Sequence, residues 1–489
     1  MSTLRVPSFA SAILGLLLAG PLAAQPAAPS TQPAVKVTET PIYTIPDGVK
    51  IIDTLVSPDN LHVGVVESKD GSFTVVVDGV RGPVEEWVVR GSLLFSPEGG
   101  RFAYEIQKGN QMMLVVGQAG PQWAATTQPP YYMVGRVVFS TDGKRYAYLA
   151  QKTKDGKMQV VIDGQEQPEA DEIFASDMQF SPDGKQFAYR ARKAPEKPDP
   201  ANPKAGGKQY YVIDGAAQPE HDVVARMTFS TQGGRWGYIA RDGAESAIVI
   251  DGKSSAKFAI VAGLAFSTDG KRYAYAIEPA GPDGKPGGKQ SLVYNGGEGE
   301  KQFQPFDGIG AIVFSPDGRR IAITTMTDKK WSVYVDGKTA GSFDGTGGML
   351  FSPDSKRLAT VAGRDGRQFL VLDGKEYAPV DVVATAGFSP DSAKVASVVI
   401  IGAQRMLFLE DKRVGPATFF AFSPDGAWLA HALPAGETKW QLALDGKGVG
   451  PTFDAAPPGS RVVWESPTVA RIIAGRARAM FMVKMNLGG

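Results

Sequence analysis

Apolar and polar residues alternate in short runs along almost the whole chain, and no segment carries a 3.6-residue period. Alternation of this kind predicts half-buried β-strands, and the punctuation between the runs is regular. Phe180-Ser181-Pro182-Asp183-Gly184-Lys185-Gln186-Phe187-Ala188-Tyr189 reads as a strand end, a tight turn and the start of a second strand. Proline presets φ at the first central position of a type I turn, aspartate suits the second, and glycine accepts the left-handed position that follows. The same turn recurs, with small changes, at Ser96, Ser140, Ser230, Ser267, Ser315, Ser352, Ser389 and Ser423, and in degenerate form at Ser57 and Ser466. Eleven units therefore follow one another at about 41 residues each, within the period range of propeller blades.

A second signal lies between the first. Asp78-Gly79, Asp163-Gly164, Asp214-Gly215, Asp251-Gly252, Asp336-Gly337, Asp373-Gly374 and Asp445-Gly446, with Asn295-Gly296 as a variant, separate alternating apolar runs. Such pairs mark type I′ hairpins, which need positive φ at both central residues. In the unit from Ala225 to Gly263 the strands read as Arg226 to Phe229, Arg235 to Ala240, Ala247 to Ile250 and Lys257 to Val261. Four strands per unit, named a to d in chain order, predict an all-β protein: a β-propeller of about eleven four-stranded blades.

The turns joining a to b and c to d then lie on one face of the propeller, and the b–c and d–a connections share the other. Length varies on that second face, where 192–208 and 278–289 form long loops, so it is the expected binding face. The last unit lacks a strand d, and the segment from Ile42 to Ile51 stands where one is needed to complete it. Usual rings have four to eight blades, which favours two rings, for example of five and six blades, over one large ring.

Composition changes the picture at the N-terminus. Arg5, the apolar run from Ala12 to Leu18 and the small residues Leu22-Ala23-Ala24 read as a signal peptide over 1–24. Residues 25–40, rich in Pro, Ala and Thr, read as a flexible tether, leaving 41–489 as repeats, with order expected from about Ile42. The expected location is periplasmic or secreted. No stretch approaches the length of a transmembrane helix. There is no cysteine, which excludes disulfides, thiolate catalysis and cysteine-ligated metals. The 52 basic and 51 acidic residues nearly cancel, so the basic excess of a nucleic-acid binder is missing.

Among candidate site residues, Asp171, Asp222, Asp307, Asp344, Asp381 and Asp454 recur at or after the fourth strand, on the expected binding face. A rim of carboxylates suits a cation or a basic partner. The alternative is that each aspartate satisfies backbone N–H groups of its own turn, and repetition in nearly every blade favours that. Lys193, Lys197, Lys204 and Lys208 crowd one long loop, where they form either a local basic patch or solvated loop charges. His62, His221 and His431 have no metal-ligand spacing, and no metal or cofactor is expected. Trp123, Tyr131 and Tyr132 are the one hint of a glycan surface.

The run Phe-Ser-Pro-Asp-Gly-Lys-x-x-Ala-Tyr, followed by an apolar third strand ending in Asp, resembles the WD40-like PD40 repeat of the TolB family, also seen in tricorn-type and prolyl-oligopeptidase-type protease propellers. The resemblance covers roughly residues 42–486. It implies a propeller and says little of function. Two features depart from the pattern: the tether runs into blades with no N-terminal α/β domain between, and no Gly-x-Ser-x-Gly elbow is present, so protease activity does not carry over. The expected function is that of an exported scaffold recognising a protein or cell-envelope component through its loop-rich face. A propeller hydrolase or lyase using acids near the channel, or a glycan-binding module, is the alternative.

Overall fold

The structure, a computed structural model, describes residues 34–196, 206–282, 284–297 and 299–488. The signal segment, the tether up to residue 33, Lys197 and Lys204 lie outside them. The described residues form strands and turns without a helix, so none is long and apolar enough to cross a membrane.

Eleven antiparallel blades follow in chain order: 50–85, 87–127, 133–166, 172–217, 223–254, 260–302, 308–343, 345–376, 382–416, 420–453, and 463–487 joined by 35–44. In each, strand a is innermost and pairs only with b, and d is the outer edge. Blade 3 is typical, with Met133–Phe139, Tyr146–Gln151, Met158–Ile162 and the two-residue Gln165–Glu166. Blade 2 differs in that its inner strand is split into Trp87–Val88 and Leu94–Phe95.

The repeated turn holds itself closed. Ser181 is fully buried; its hydroxyl donates to Asp183 Oδ1 at 2.6 Å and accepts the Gln186 N–H at 2.9 Å, while the Gly184 N–H donates to the Ser181 carbonyl at 2.8 Å. Gly184 takes φ of 72°, as the turn requires. The c–d turns behave as their sequence predicts at all seven Asp-Gly pairs, for instance Asp163 at 50° and Gly164 at 81°. The Asn295-Gly296 variant does not: the positive φ falls on Gly297 instead, whose N–H bonds to the Asn295 side chain. Each turn aspartate also reaches its neighbour across the blade, as Asp163 accepts the Tyr146 N–H at 2.9 Å. Both turn types therefore share one face.

In eight of the eleven blades a basic residue that follows the repeated turn ties the blade to the next. Arg357 Nε donates to Asp373 in its own blade at 3.0 Å, Nη1 donates to the Ala393 carbonyl of the next blade at 2.9 Å, and the guanidinium lies 5.7 Å from the Phe388 ring centroid. Arg101, Arg145, Arg235, Arg272 and Arg320 reach the following turn in the same way, and Lys394 does so in blade 9. Buried apolar clusters occupy every junction, from blades 1 and 2 (Val75, Phe102) round to blades 11 and 1 (Ile473, Val65).

The propeller is therefore one ring of eleven blades, not the two rings that ring-size statistics favour. Two rings would need junctions where a blade faces away from its successor, and every junction is packed. Blade 11 is completed by an N-terminal strand, as expected, but by Val35–Thr44 rather than Ile42 to Ile51. Order begins within the expected tether, and Lys50–Val56 is instead the inner strand of blade 1. The outer strand of blade 5 is likewise Lys253–Ser254, directly after its turn; the expected fourth strand near Lys257 supplies only a bridge from Phe258 to Ser246.

Candidate functional site

The b–c and d–a connections gather on one face, and the six recurrent aspartates stand there at matching positions. Each accepts a backbone N–H from the b–c turn of its own blade: Asp171 from Ala194 (2.8 Å), Asp222 from Gly243 (2.7 Å), Asp307 from Asp328 (2.7 Å), Asp344 from Asp365 (2.8 Å), Asp381 from Gly402 (2.6 Å) and Asp454 from Ala477 (2.7 Å). The acceptors are paired with donors 21 to 23 residues ahead, not with their own turn. In five of the six, a cation at the start of the preceding blade's third strand also meets the carboxylate: Lys157, Lys208, Lys289, Lys330 and Arg367, at 2.5 to 3.5 Å. Those five aspartates thus span a seam between blades.

At Asp171, Asp222 and Asp344 these contacts favour the charged form. The Ala194 N–H holds the Asp171 carboxyl below the ordinary carboxylate range, and the Lys208 and Lys330 ammonium groups do the same for Asp222 and Asp344. Asp454 differs: it borders a cavity of about 230 Å³ between blades 11 and 1, lined also by Ile45, Thr54, Pro457, Pro458 and Met480.

Of the four lysines expected in the long blade 4 loop, the two among the described residues are held as well. Lys193 lies 3.5 Å from Glu220, and Lys208 binds Asp222 at 2.7 Å. His62 and His221 each face an aspartate, Asp78 at 2.6 Å and Asp242 at 2.8 Å, while His431 is buried in blade 10. No group of three or more His, Asp or Glu able to hold a metal ion occurs among the described residues. Of the three aromatics that suggested a glycan surface, Tyr131 is buried and Trp123 packs on Phe102 and Tyr104, leaving Tyr132 exposed.

What the sequence reading missed is apolar. Six large apolar side chains stand exposed among the described residues, and five of them lie on this same face: Val84 (70% exposed), Trp87 (49%), Tyr132 (41%), Val382 (38%) and Ile401 (43%). Val84, Trp87, Tyr132 and Val382 flank d–a connections, and Ile401 ends the second strand of blade 9. The sixth, Leu61, is in a turn on the opposite face. The only sequence signal for the five is an apolar residue at a connection, just outside the alternating run.

No family model matches the chain, and no curated protein matches it. Solved structures similar to it include a eukaryotic initiation factor (15% identity over 73% of this chain and 96% of that chain, TM-score 0.41), the β-propeller domain of the Trilobed protease from Pyrococcus furiosus (12%, 68% and 96%, TM-score 0.27) and TolB from Acinetobacter baumannii (14%, 62% and 80%, TM-score 0.26).

Proposed function

We propose that the chain is an exported scaffold that binds a protein or another cell-envelope component on the face formed by its b–c and d–a connections. The observation that carries this reading is the placement of five of the six exposed large apolar side chains on that face. Solvent-facing Val84 and Trp87 lie close in sequence, and Trp87 rests edge-on against Phe73 at 4.8 Å, which leaves the rest of its indole for a partner. The opposite face is occupied by self-closed turns and the arginines that tie them together. Export is supported by the n-region, apolar run and small residues of 1–24, and by the resemblance of the repeats to those of TolB-like proteins. A hydrolase or lyase built on the recurrent acids has less support, because each of those carboxylates is already bound to a backbone N–H.

The test places a photo-crosslinking residue singly at Trp87, Tyr132 and Val382, and at Leu61 and Lys185 on the other face, in cells expressing the full chain. Adducts from the first three alone are expected. Equal labelling from both faces, or labelling confined to Leu61 and Lys185, overturns the reading. Fractionation of the same cells tests export, which requires the chain outside the cytoplasm and shortened near Ala24.

A further inference from the structure

The inner strands share an irregularity that the alternating pattern conceals. Most carry a bulge midway along, as between Gly135 and Val137 in blade 3 and between Ala225 and Thr228 in blade 5. At this point blade 6 has Gly263 with φ of 66°, a conformation glycine takes freely. Blades 3 and 5 have Arg136 (φ 37°) and Arg226 (φ 58°) instead, the only non-glycine residues of the described inner strands with positive φ. A side chain there crowds the backbone, so both positions are strained.

Nothing in the ring repays that strain. Both side chains are exposed, and neither has a hydrogen bond, ion pair or ring contact among the described residues. Val134 and Val138 pack into the seams on either side of blade 3, Val224 and Met227 pack into the seam between blades 4 and 5, and the strand's unpaired edge faces the central channel, which is the open direction for each arginine. Arg90, in the break of the blade 2 inner strand, is a third exposed arginine without a partner among the described residues. The acids of the same wall are engaged: Asp177 of blade 4 by Arg190 at 2.7 Å, and Asp53 of blade 1 by the Thr54 N–H at 2.8 Å. Across the channel, blades 7 and 8 present Gly310, Ala311, Gly347 and Gly348, all exposed and uncharged.

We propose that this channel wall, formed by Arg90, Arg136 and Arg226, binds the carboxylates of an extended acidic peptide segment. Guanidinium groups bind carboxylates in a planar, two-bond geometry, and the walls of a protein channel strengthen that attraction by limiting access of water. Each inner strand pairs on one side only and turns its other edge to the channel, where the glycines of blades 7 and 8 leave backbone groups open to an extended chain. A polynucleotide fits less well, because the chain has a net charge of only +1 and lacks the broad cationic field that phosphate backbones require. The site is separate from the loop-rich face, so its failure leaves the scaffold reading standing.

The experiment is fluorescence anisotropy at low salt, with the full chain and labelled decaglutamate, decaglutamine and decathymidylate. Decaglutamate should bind, weaken as salt is added, and lose at least tenfold in affinity with R136G/R226G. Glycine suits both positions, so the double variant should melt no lower than the parent, which separates lost binding from lost fold. Lys412→Ala, on the outer strand of blade 9, should leave binding unchanged. No binding of decaglutamate, equal binding of decaglutamine, tighter binding of decathymidylate, or an undiminished affinity of R136G/R226G would each overturn the proposal.

Discussion

The Tyr43 hydroxyl, on the strand that completes blade 11, donates a hydrogen bond to the buried carboxylate of Glu67 in blade 1. Arg81 grips the same carboxylate through both terminal nitrogens. Burial, then the hydrogen bond and charge of Glu67, push the Tyr43 hydroxyl far above its ordinary titration range, so it stays a donor at any physiological pH. The first and last blades are thus joined by a three-residue cluster as well as by backbone pairing between Val35–Thr44 and Ala479–Leu487.

Replacing Tyr43 by Phe keeps the ring packed and leaves Glu67 with one donor fewer. The expected cost is about 1.5–3 kcal/mol, the range for a hydrogen bond to a charged group. Removal of residues 1–44 should be far more damaging than removal of 1–33, because only the first strips the outer strand from blade 11 and exposes a paired edge. Denaturant curves of the three variants check this, and equal midpoints for the two truncations would contradict the closure.

Three seams lack a basic clamp, those that follow His62 in blade 1, Gln186 in blade 4 and Trp428 in blade 10, and the blade 4 seam has the partners for one. In blade 4 the position of the bridging arginine holds Gln186, whose side-chain oxygen is buried without a partner. The partners an arginine uses elsewhere are in place: Asp214 in the turn of its own blade, and Phe229 and the Ser230–Gly233 turn in blade 5. Gln186→Arg should therefore stabilise the ring by about 0.5–1 kcal/mol, from an ion pair and a cation–π contact at a partly exposed site. Arg357→Ala should lower stability by a comparable or larger amount. Thermal melting of both variants is the measurement, and a destabilised Gln186→Arg would show that the blade 4 seam has a different spacing.

Two histidines should pull the pH dependence of stability in opposite directions. Burial lowers His431 from its ordinary value of 6.5, and both its ring nitrogens lack partners. Its neutral form is favoured in the fold, so its contribution is present above pH 6.5 and is lost as pH falls below that value. Burial also acts to lower His62, but the Asp78 hydrogen bond and the charges of Asp78 and Asp59 outweigh it and raise the group above 6.5. Its contribution is present below pH 6.5 and is lost as pH rises through the raised value. His431→Phe should flatten the acid side of the melting profile between pH 5 and 6.5, and His62→Gln should lower melting most on that same side. Parallel profiles for both variants would refute the assignment.

The blade count, the shared face of the two turn types and the missing last strand were legible because each is set by local turn chemistry. The closing strand was hidden. Val35–Thr44 is an outer strand held by backbone bonds to Ala479–Leu487, so its side chains follow only a weak alternation and the composition reads as linker. Ring number was illegible for another reason: the basic residue after most turns is plain in the sequence, but its reach into the next blade is not. The strain at Arg136 and Arg226 was equally invisible, because a bulge leaves no mark in an alternating run. The recurrent aspartates were found by spacing, yet their donors lie a full hairpin ahead, where no local rule points.

Those aspartates give the last test. If Asp222 and Asp381 act as caps, the alanine double variant leaves the Gly243 and Gly402 N–H groups without their carboxylate acceptors and loses the ion pairs to Lys208 and Arg367. Both side chains are about two-fifths exposed, so water replaces part of each interaction, and the expected result is a drop of about 1–2 °C in melting temperature. Asparagine keeps a neutral acceptor for the same N–H groups, so the Asp→Asn pair should recover most of the loss while still lacking the ion pairs. Added salt should then narrow the gap between the parent and the asparagine variant, because only the ionic part is screened. A carboxylate rim that serves a cation or a basic partner behaves differently: alanine and asparagine would both leave melting unchanged, and both would abolish binding. Recovery by asparagine is the outcome that assigns these residues to the seams.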